Sequence, residues 1–347
     1  MKLFEAKHET VENYFVDLSL PDSLTEDDAR EMHRKMCLIR RFDETVRELW
    51  MQGDIHGVAH AYIGEEAIAV GACAAIRPDD LITSTHRGHG HTIGKGADVG
   101  RMMAELLGKY EGYNHGKGGS MHIADVEHGM LGATGIVGSS LPLAAGAAYA
   151  MDYLETGNIV LCFFGDGAIN QGVWHEALNI GAAWNLPVVY LAENNGIAIS
   201  TDICSTTKEH DIFMRAVAYG IPSILADGLN PFDVYEAVRN AAARARNGQG
   251  PTLVDARCIR FMGHFVADEQ PYRDMEKLKP LWQNEPLVRM RDFLIKSGIC
   301  TEAEVNEIEQ KAFAEIADAV DFAKNHCTEP GTEMLYTDLY ANGEIIK

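Results

Sequence analysis

Two segments constrain this chain more than any others: FFGDGAINQG, from Phe163 to Gly172, and ENNGIAIST, from Glu193 to Thr201. Each begins where a short apolar run stops, and a helix-length interval separates them. Ile159–Phe164 and Val188–Ala192 read as strands, and Ile221–Ala226 and Thr252–Arg257 repeat the pattern with helical stretches between. Such alternation predicts an α/β fold with a mostly parallel central sheet and helices on both faces. In a right-handed βαβ unit the two strands run the same way, so Asp166 and the Asn194-Asn195 pair fall on one edge of the sheet.

That edge then carries a carboxylate, a neutral amide and turn carbonyls, an all-oxygen set suited to a hard cation. Magnesium keeps about six ligands and takes only one or two from protein side chains, leaving the rest to water and phosphates. The incomplete set therefore implies a phosphorylated ligand. A helix expected to start near Ile169 would turn free N–H groups toward the same place. Asp-Gly and Asn-Gly are also ordinary turn pairs. Their recurrence at two successive strand ends is what favours a site.

Composition narrows the partners. A formal net charge of −21 repels nucleic acid and anionic membrane, so neither is expected to bind. The content of 46% hydrophobic and 23% charged residues is that of an ordinary globular protein. Seven cysteines, odd in number and without a CxxC pair, point to reduced thiols and a cytoplasmic setting. The opening MKLFEAKHETVENYF has neither the apolar run of a signal peptide nor an arginine-rich transit pattern. ATGIVGSSLPLAAGAAYAM is built of small residues and broken by Ser139, Ser140 and Pro142, so it does not read as a membrane span.

Three regions follow from the patterning. Residues 1–52 form an amino-terminal helical region, in which Ser23-Leu-Thr-Glu26 resembles a capping box and Met32, Met36, Ile39, Val46, Leu49 and Trp50 recur at helical spacing up to Gly53. Residues 53–290 form the α/β domain. Its first part is rich in glycine and histidine, with helical pieces at Glu65–Ala75 and Arg101–Leu107 between ligand-facing loops. Residues 291–347 form a carboxy-terminal helical region opened by a second capping box, Thr301-Glu-Ala-Glu304.

Several other motifs invite a reading. His86, His89 and His91 in THRGHGH could hold zinc and support a metal-dependent hydrolase, although the stretch reads as a loop and has no HExxH arrangement. The same histidines serve equally as hydrogen-bonding residues or proton donors of an active-site loop. GYNHGKGGS, residues 112–120, fails as a P-loop, because its glycine spacing is short and Gly118 follows Lys117. No GxGxxG follows a strand. Glu65 and Glu66 have an ordinary explanation as carboxylates at a helix start, with His60 just before them. Trp174 and Trp184 read as packing residues.

The GDG and NN pair resembles the fingerprint of thiamin diphosphate enzymes. More widely, the chain from Thr25 to Arg273 is similar to the alpha subunit of the thiamin-dependent decarboxylating component of 2-oxo acid dehydrogenase complexes. STHRGHGH, GKGGSMHIAD, GATGIVG, FFGDGAINQG and GHFVAD carry the likeness, closest to the acetoin dehydrogenase branch with pyruvate dehydrogenase next. The resemblance implies a thiamin diphosphate-binding fold, with thiamin diphosphate and Mg2+ as cofactors. It implies Asp166, Asn195 and the Ile197 carbonyl as metal ligands. Arg87, His86 and His264 would meet the diphosphate, with N–H groups of Gly167 and Ala168. Gly135 and Val137 would face the aminopyrimidine, and Ile199 would be an apolar wedge behind the bent cofactor. His60, His86 and His264 are the implied catalytic candidates.

The same resemblance implies a beta subunit that completes the site in a heterotetramer of two alpha and two beta chains. It also implies a lipoyl-bearing acyltransferase as acyl acceptor and a small 2-oxo acid or acetoin as substrate. A split transketolase-like enzyme on the same cofactor is the neighbouring alternative. The chain departs from the family pattern in three places: Ile197 and Ala198 replace a common tyrosine and glycine, Phe265 stands where mitochondrial relatives carry a regulatory serine, and FMGHFVADEQ differs from the usual loop.

Overall fold

The four apolar runs do form the centre of the molecule. The computed structural model describes residues 15–339, so most of the amino-terminal stretch read for targeting lies outside the described residues. Strand β1 (Leu81–Thr83) precedes β2 (Val160–Gly165) and β3 (Val188–Asn194). A small antiparallel pair, β4 (Ile197–Ala198) and β5 (Thr201–Asp202), follows, and then β6 (Ser223–Asp227) and β7 (Thr252–Arg257). The central sheet has the order β1-β2-β3-β7-β6, and every pairing in it is parallel. β6 starts two residues later than the Ile221–Ala226 pattern suggests. β1 was not foreseen, since three residues carry too little periodicity to register.

Alternation along β2 and β3 assigns side chains to two cores. Val160, Cys162, Phe164, Val188 and Tyr190 pack under the helices Ser140–Tyr153 and Gly172–Ala183. Leu161, Phe163, Val189 and Leu191 face the opposite side, under Glu66–Ala74 and Pro231–Arg246. Fully burying one such side chain contributes about 1.5–3 kcal/mol, so two covered faces explain why these strands are continuously apolar. A third core joins the helices Glu26–Gln52, Val99–Leu106, Pro286–Lys296 and Glu302–Asn325. The amino- and carboxy-terminal helical regions thus pack on each other. Among the described residues no helix is long and apolar enough to cross a membrane.

Local signals held at some places and moved at others. The Thr301 and Glu304 capping box is present. At the first helix the cap is Thr25 with Asp28, not Ser23 with Glu26; Ser23 Oγ instead donates to Glu236. Residues Gly88–Lys95 of the histidine-rich stretch are a helix rather than a loop. Glycine hides that helix from propensity, yet the packing requires it: a Cβ at Gly90 would lie 2.3 Å from the Tyr62 ring.

Two buried charge arrangements hold the segments together. Arg40, on the first long helix, donates to Glu66 at 2.7 Å and to Glu285, tying three distant parts of the chain. Burial still holds the Glu66 carboxyl above its usual range, with Arg40 opposing. The GKGG loop is organised by buried Glu105, whose two oxygens accept from the N–H groups of Asn114, Gly116, Gly118 and Gly119 at 2.7–3.0 Å. Those N–H groups are therefore taken by the chain's own carboxylate and are not free to cradle a phosphate.

Replacing Arg40 by methionine leaves two carboxylates buried without their cation, a change of about 3–5 kcal/mol when a buried pair is broken. Removing Arg40 lifts the folded-state pKa of Glu66 further above its unfolded value, and a group so raised loses stability as pH rises. The expected stability deficit is therefore larger at pH 8 than at pH 5 in denaturation of the mutant and native proteins. Glu105→Gln puts an amide N–H2 against backbone donors. It should speed hydrogen exchange across residues 112–119 while leaving the central sheet protected.

Candidate active site

The register of β2 and β3 places the two polar strand ends side by side. Gly165 pairs with Glu193, so Asp166 and the residues after Asn194 emerge together at the carboxyl edge of the sheet. From Asp166 the chain makes a 3-10 turn to Asn170, and the helix begins only at Gly172, later than the expected start near Ile169. Asp166 is buried, and burial pushes its carboxyl up to about 7, with backbone N–H groups and Arg260 opposing. Of the asparagine pair only Asn195 faces the cleft that opens here. Asn194 turns away and donates to Asp255 at 3.0 Å inside the fold.

Asn195 is held by two bonds: its Nδ2 donates to Glu65 at 2.8 Å, and its Oδ1 accepts from the Ile197 N–H at 3.2 Å. The turn beyond it is pinned by buried Arg260, which donates to the carbonyls of Ile197 at 3.3 Å and Ile199 at 2.8 Å. Ile199 has φ 54°, a left-handed conformation that opposes a β-branched side chain, and it is 57% exposed. Strain of this kind persists only where the surroundings enforce it, and here Arg260 does so. Gly167 meets the same turn so closely that a Cβ would lie 2.9 Å from Ala198.

These parts border a cleft of about 230 Å3. Its opposite wall carries Arg87, His86 and His264, with Thr134, Ile136 and Val137 beside them. Gly135 itself is not on the wall; it backs onto Met121 and His122. Arg87 is buried and donates to the Ala61 carbonyl at 2.6 Å and the His264 carbonyl at 2.9 Å. The rings of His60, His86 and His264 form a triangle with centroids 4.6, 4.9 and 5.4 Å apart. Burial first, then neighbouring positive groups, pushes their pKa values down to about 2, about 3 and about 4 respectively. All three are neutral at pH 7.

The structure does not bring His86, His89 and His91 together. His89 uses both ring nitrogens, on Asp43 at 2.7 Å and Ser120 at 3.0 Å. His91 does the same with Glu193 at 2.8 Å and Ser84 at 2.7 Å. Neither has a nitrogen left for a metal, so the hydrolase alternative loses its ligand set. The motif spacing matched a cluster, but the helix Gly88–Lys95 sends His89 and His91 into the core.

Sequence reasoning missed Glu65, Glu193, Tyr62 and Arg260. The helix-start explanation of Glu65 and Glu66 is corrected: Glu65 makes no capping bond and lines the cleft, and Glu66 serves Arg40. Glu193 also lines the cleft and accepts from the Tyr62 hydroxyl as well as His91. Burial, and then Glu193 beside it, pushes the Glu65 carboxyl up. Trp174 is buried as expected, whereas Trp184 is 60% exposed and packs no core.

The residues present suit a phosphorylated ligand with a hard cation. Asp166, the Asn195 oxygen and the Ile197 carbonyl offer oxygens only, and Asp166 is buried. Arg87 and the neutral imidazoles across the cleft suit an anion.

Comparison with known proteins shows the family. The alpha subunit of acetoin:2,6-dichlorophenolindophenol oxidoreductase from Bacillus subtilis is 46% identical over 324 residues, covering 93% of this chain and 96% of that one. Its counterpart in Cupriavidus necator is 43% identical over 312 residues, covering 90% and 93%. The alpha subunit of the pyruvate dehydrogenase E1 component of Zymomonas mobilis is 38% identical over 311 residues, covering 89% and 87%. Residues 34–331 match the dehydrogenase E1 component family, and with these relatives that match shows that the chain belongs to that family as an alpha-type subunit.

Proposed function

We propose that this chain is the alpha subunit of a thiamin diphosphate- and Mg2+-dependent acetoin or 2-oxo acid dehydrogenase. In it Asp166, Asn195 and the Ile197 carbonyl hold the metal. Arg87, His86 and His264, with the N–H groups of Gly167 and Ala168, hold the diphosphate. Val137 faces the aminopyrimidine, with Gly135 set back from the cleft wall, and Ile199 supports the bend of the cofactor. When bound, thiamin diphosphate supplies an acidic carbon that adds to the substrate carbonyl and an electron sink for cleavage of the adjacent C–C bond.

The chain's own residues do the rest. Two side chains and one carbonyl leave about half of an octahedral shell for phosphate and water, as magnesium sites on phosphorylated ligands usually do. Neutral His60, His86 and His264 can donate or accept a proton or hydrogen bond near the reacting atoms without adding positive charge. Glu193 holds Tyr62 and His91 behind this wall.

The observation that carries the proposal is the all-oxygen set at Asp166 and Asn195 facing Arg87 across one cleft. Acetoin is the first substrate to test, because the relatives at 46% and 43% identity are named for it. A beta subunit in a two-alpha, two-beta heterotetramer would complete the site, and a lipoyl group on an acyltransferase would receive the acyl group. Exposed apolar residues suit such association: Ile136 and Tyr153 are 71% and 74% exposed. Seven unpaired cysteines suit a reducing cytoplasm.

Co-expressed with its beta chain, the protein should reduce dichlorophenolindophenol with acetoin or a 2-oxo acid only when thiamin diphosphate and Mg2+ are present. The purified alpha chain alone should be inactive, and turnover by it would contradict the proposal. Asp166→Ala should abolish Mg2+-dependent cofactor uptake in calorimetry. Ile199→Gly should behave unusually: relief of a left-handed side chain, about 1–2 kcal/mol, offsets the usual loss from glycine, so thermal stability is kept while cofactor affinity falls.

A further inference from the structure

Glu65 is the buried acid whose position the fold alone explains least. It stands at the N-cap of the helix Glu66–Ala74, where a carboxylate ordinarily accepts from free helix N–H groups, yet it makes no such bond. Its side chain instead reaches the cleft while the residue is only 1% exposed. Oε1 accepts from Asn195 Nδ2 at 2.8 Å, and Oε2 has no hydrogen-bond partner among the described residues. A buried carboxyl beside Glu193 is costly, so helix capping and packing do not account for it.

The amide it touches has a particular need. The oxygen and nitrogen of an asparagine amide are almost the same size, so its two flipped orientations fill space equally well. Only the oxygen can bind a hard cation. Two bonds distinguish the orientations here, and the one from the Ile197 N–H to Oδ1 is the longer, at 3.2 Å against 2.8 Å to Glu65. A carboxyl presents a bare acceptor oxygen in either of its charge states, so Glu65 favours the orientation with Nδ2 toward itself.

We infer that Glu65 is a positioning residue: by accepting from Asn195 Nδ2 it keeps Oδ1 turned toward the cation position at the strand ends. The inference rests on the proposed role of Asn195 in holding the metal. Glu65 acts through Asn195. Partners of this kind orient metal ligands, and losing one typically weakens metal binding about 10–100-fold.

The test is a titration of the alpha-beta assembly with Mn2+, followed by electron paramagnetic resonance at fixed thiamin diphosphate, so that metal affinity is read apart from turnover. Glu65→Met should weaken Mn2+ binding by about 10–100-fold, with Glu65→Ala substituted if the methionine variant does not assemble. Glu65→Gln, whose carbonyl can still accept from Nδ2, should stay near the native affinity. In an Asn195→Asp background the ligand has two equivalent oxygens and needs no orientation, so Glu65→Met should bring no further loss. A merely structural Glu65 would weaken binding in both backgrounds, and that result, or native affinity in Glu65→Met, overturns the inference. If the native assembly takes up no cofactor in a metal-dependent way, the proposed function itself fails, and the inference fails with it.

Discussion

Ionisable carboxyls buried at the carboxyl edge of a parallel sheet are the constraint to which the rest of this structure answers. Glu65, Asp166, Glu193 and Asp255 are all removed from water around the ends of β2, β3 and β7. Burial of such groups opposes their charged forms, and an apolar edge would be the more stable alternative. Each acid is therefore given a partner: the Tyr62 hydroxyl and His91 for Glu193, Asn195 for Glu65, Asn194 for Asp255, and backbone N–H groups for Asp166. The sheet can sustain this edge because both of its faces are covered by apolar cores and a third core fastens the terminal helices.

Rigidity at the edge comes from cations that never reach solvent. Arg260 fixes the turn after Asn195 through two carbonyls, and that turn carries Ile199 in its disfavoured conformation. Arg87 fixes the opposite wall through the Ala61 and His264 carbonyls. Both guanidiniums bond to backbone and keep their charge within the cleft. They thereby combine two tasks, holding loops in place and supplying a positive field for an anion. The same field, with burial, keeps the three clustered imidazoles neutral.

The sheet was legible in the sequence because its strands are buried on both faces, and continuous apolar runs such as Val188–Ala192 are what that environment demands. The edge location of Asp166 and Asn195 followed from chain direction alone. Other features were hidden for identifiable reasons. The helix Gly88–Lys95 is rich in glycine because Tyr62 packs against Gly90, so local propensity argued against it. Asn194 and Asn195 look alike in sequence, and only the pleat at the end of β3 sends one to Asp255 and the other to the cleft. Glu65 was masked by a good local explanation, since an acid at a helix start needs no distant partner. Arg260 gave no signal, because its targets are backbone carbonyls some sixty residues away in sequence.

The GATGIVG segment and the helix after it connect the cleft to the molecular surface. Val137 lines the cleft, while Ile136 beside it is largely exposed, and Ser140–Tyr153 packs Leu141, Ala144 and Ala148 against the sheet. The outward side of that helix leaves Leu143, Tyr149 and Tyr153 exposed, with Trp184 against Tyr149. Apolar surface of this extent beside a cleft is ordinarily covered by another protein. A partner seated there would also press on the wall that Val137 and Ile136 provide. On the proposed function, association and cofactor uptake then act on the same short segment, and two binding events that share a structural element must favour or oppose each other equally in both directions. The small residues of this helix, which make it look unremarkable in sequence, let one side pack closely on the sheet while the other presents Leu143, Tyr149 and Tyr153 outward.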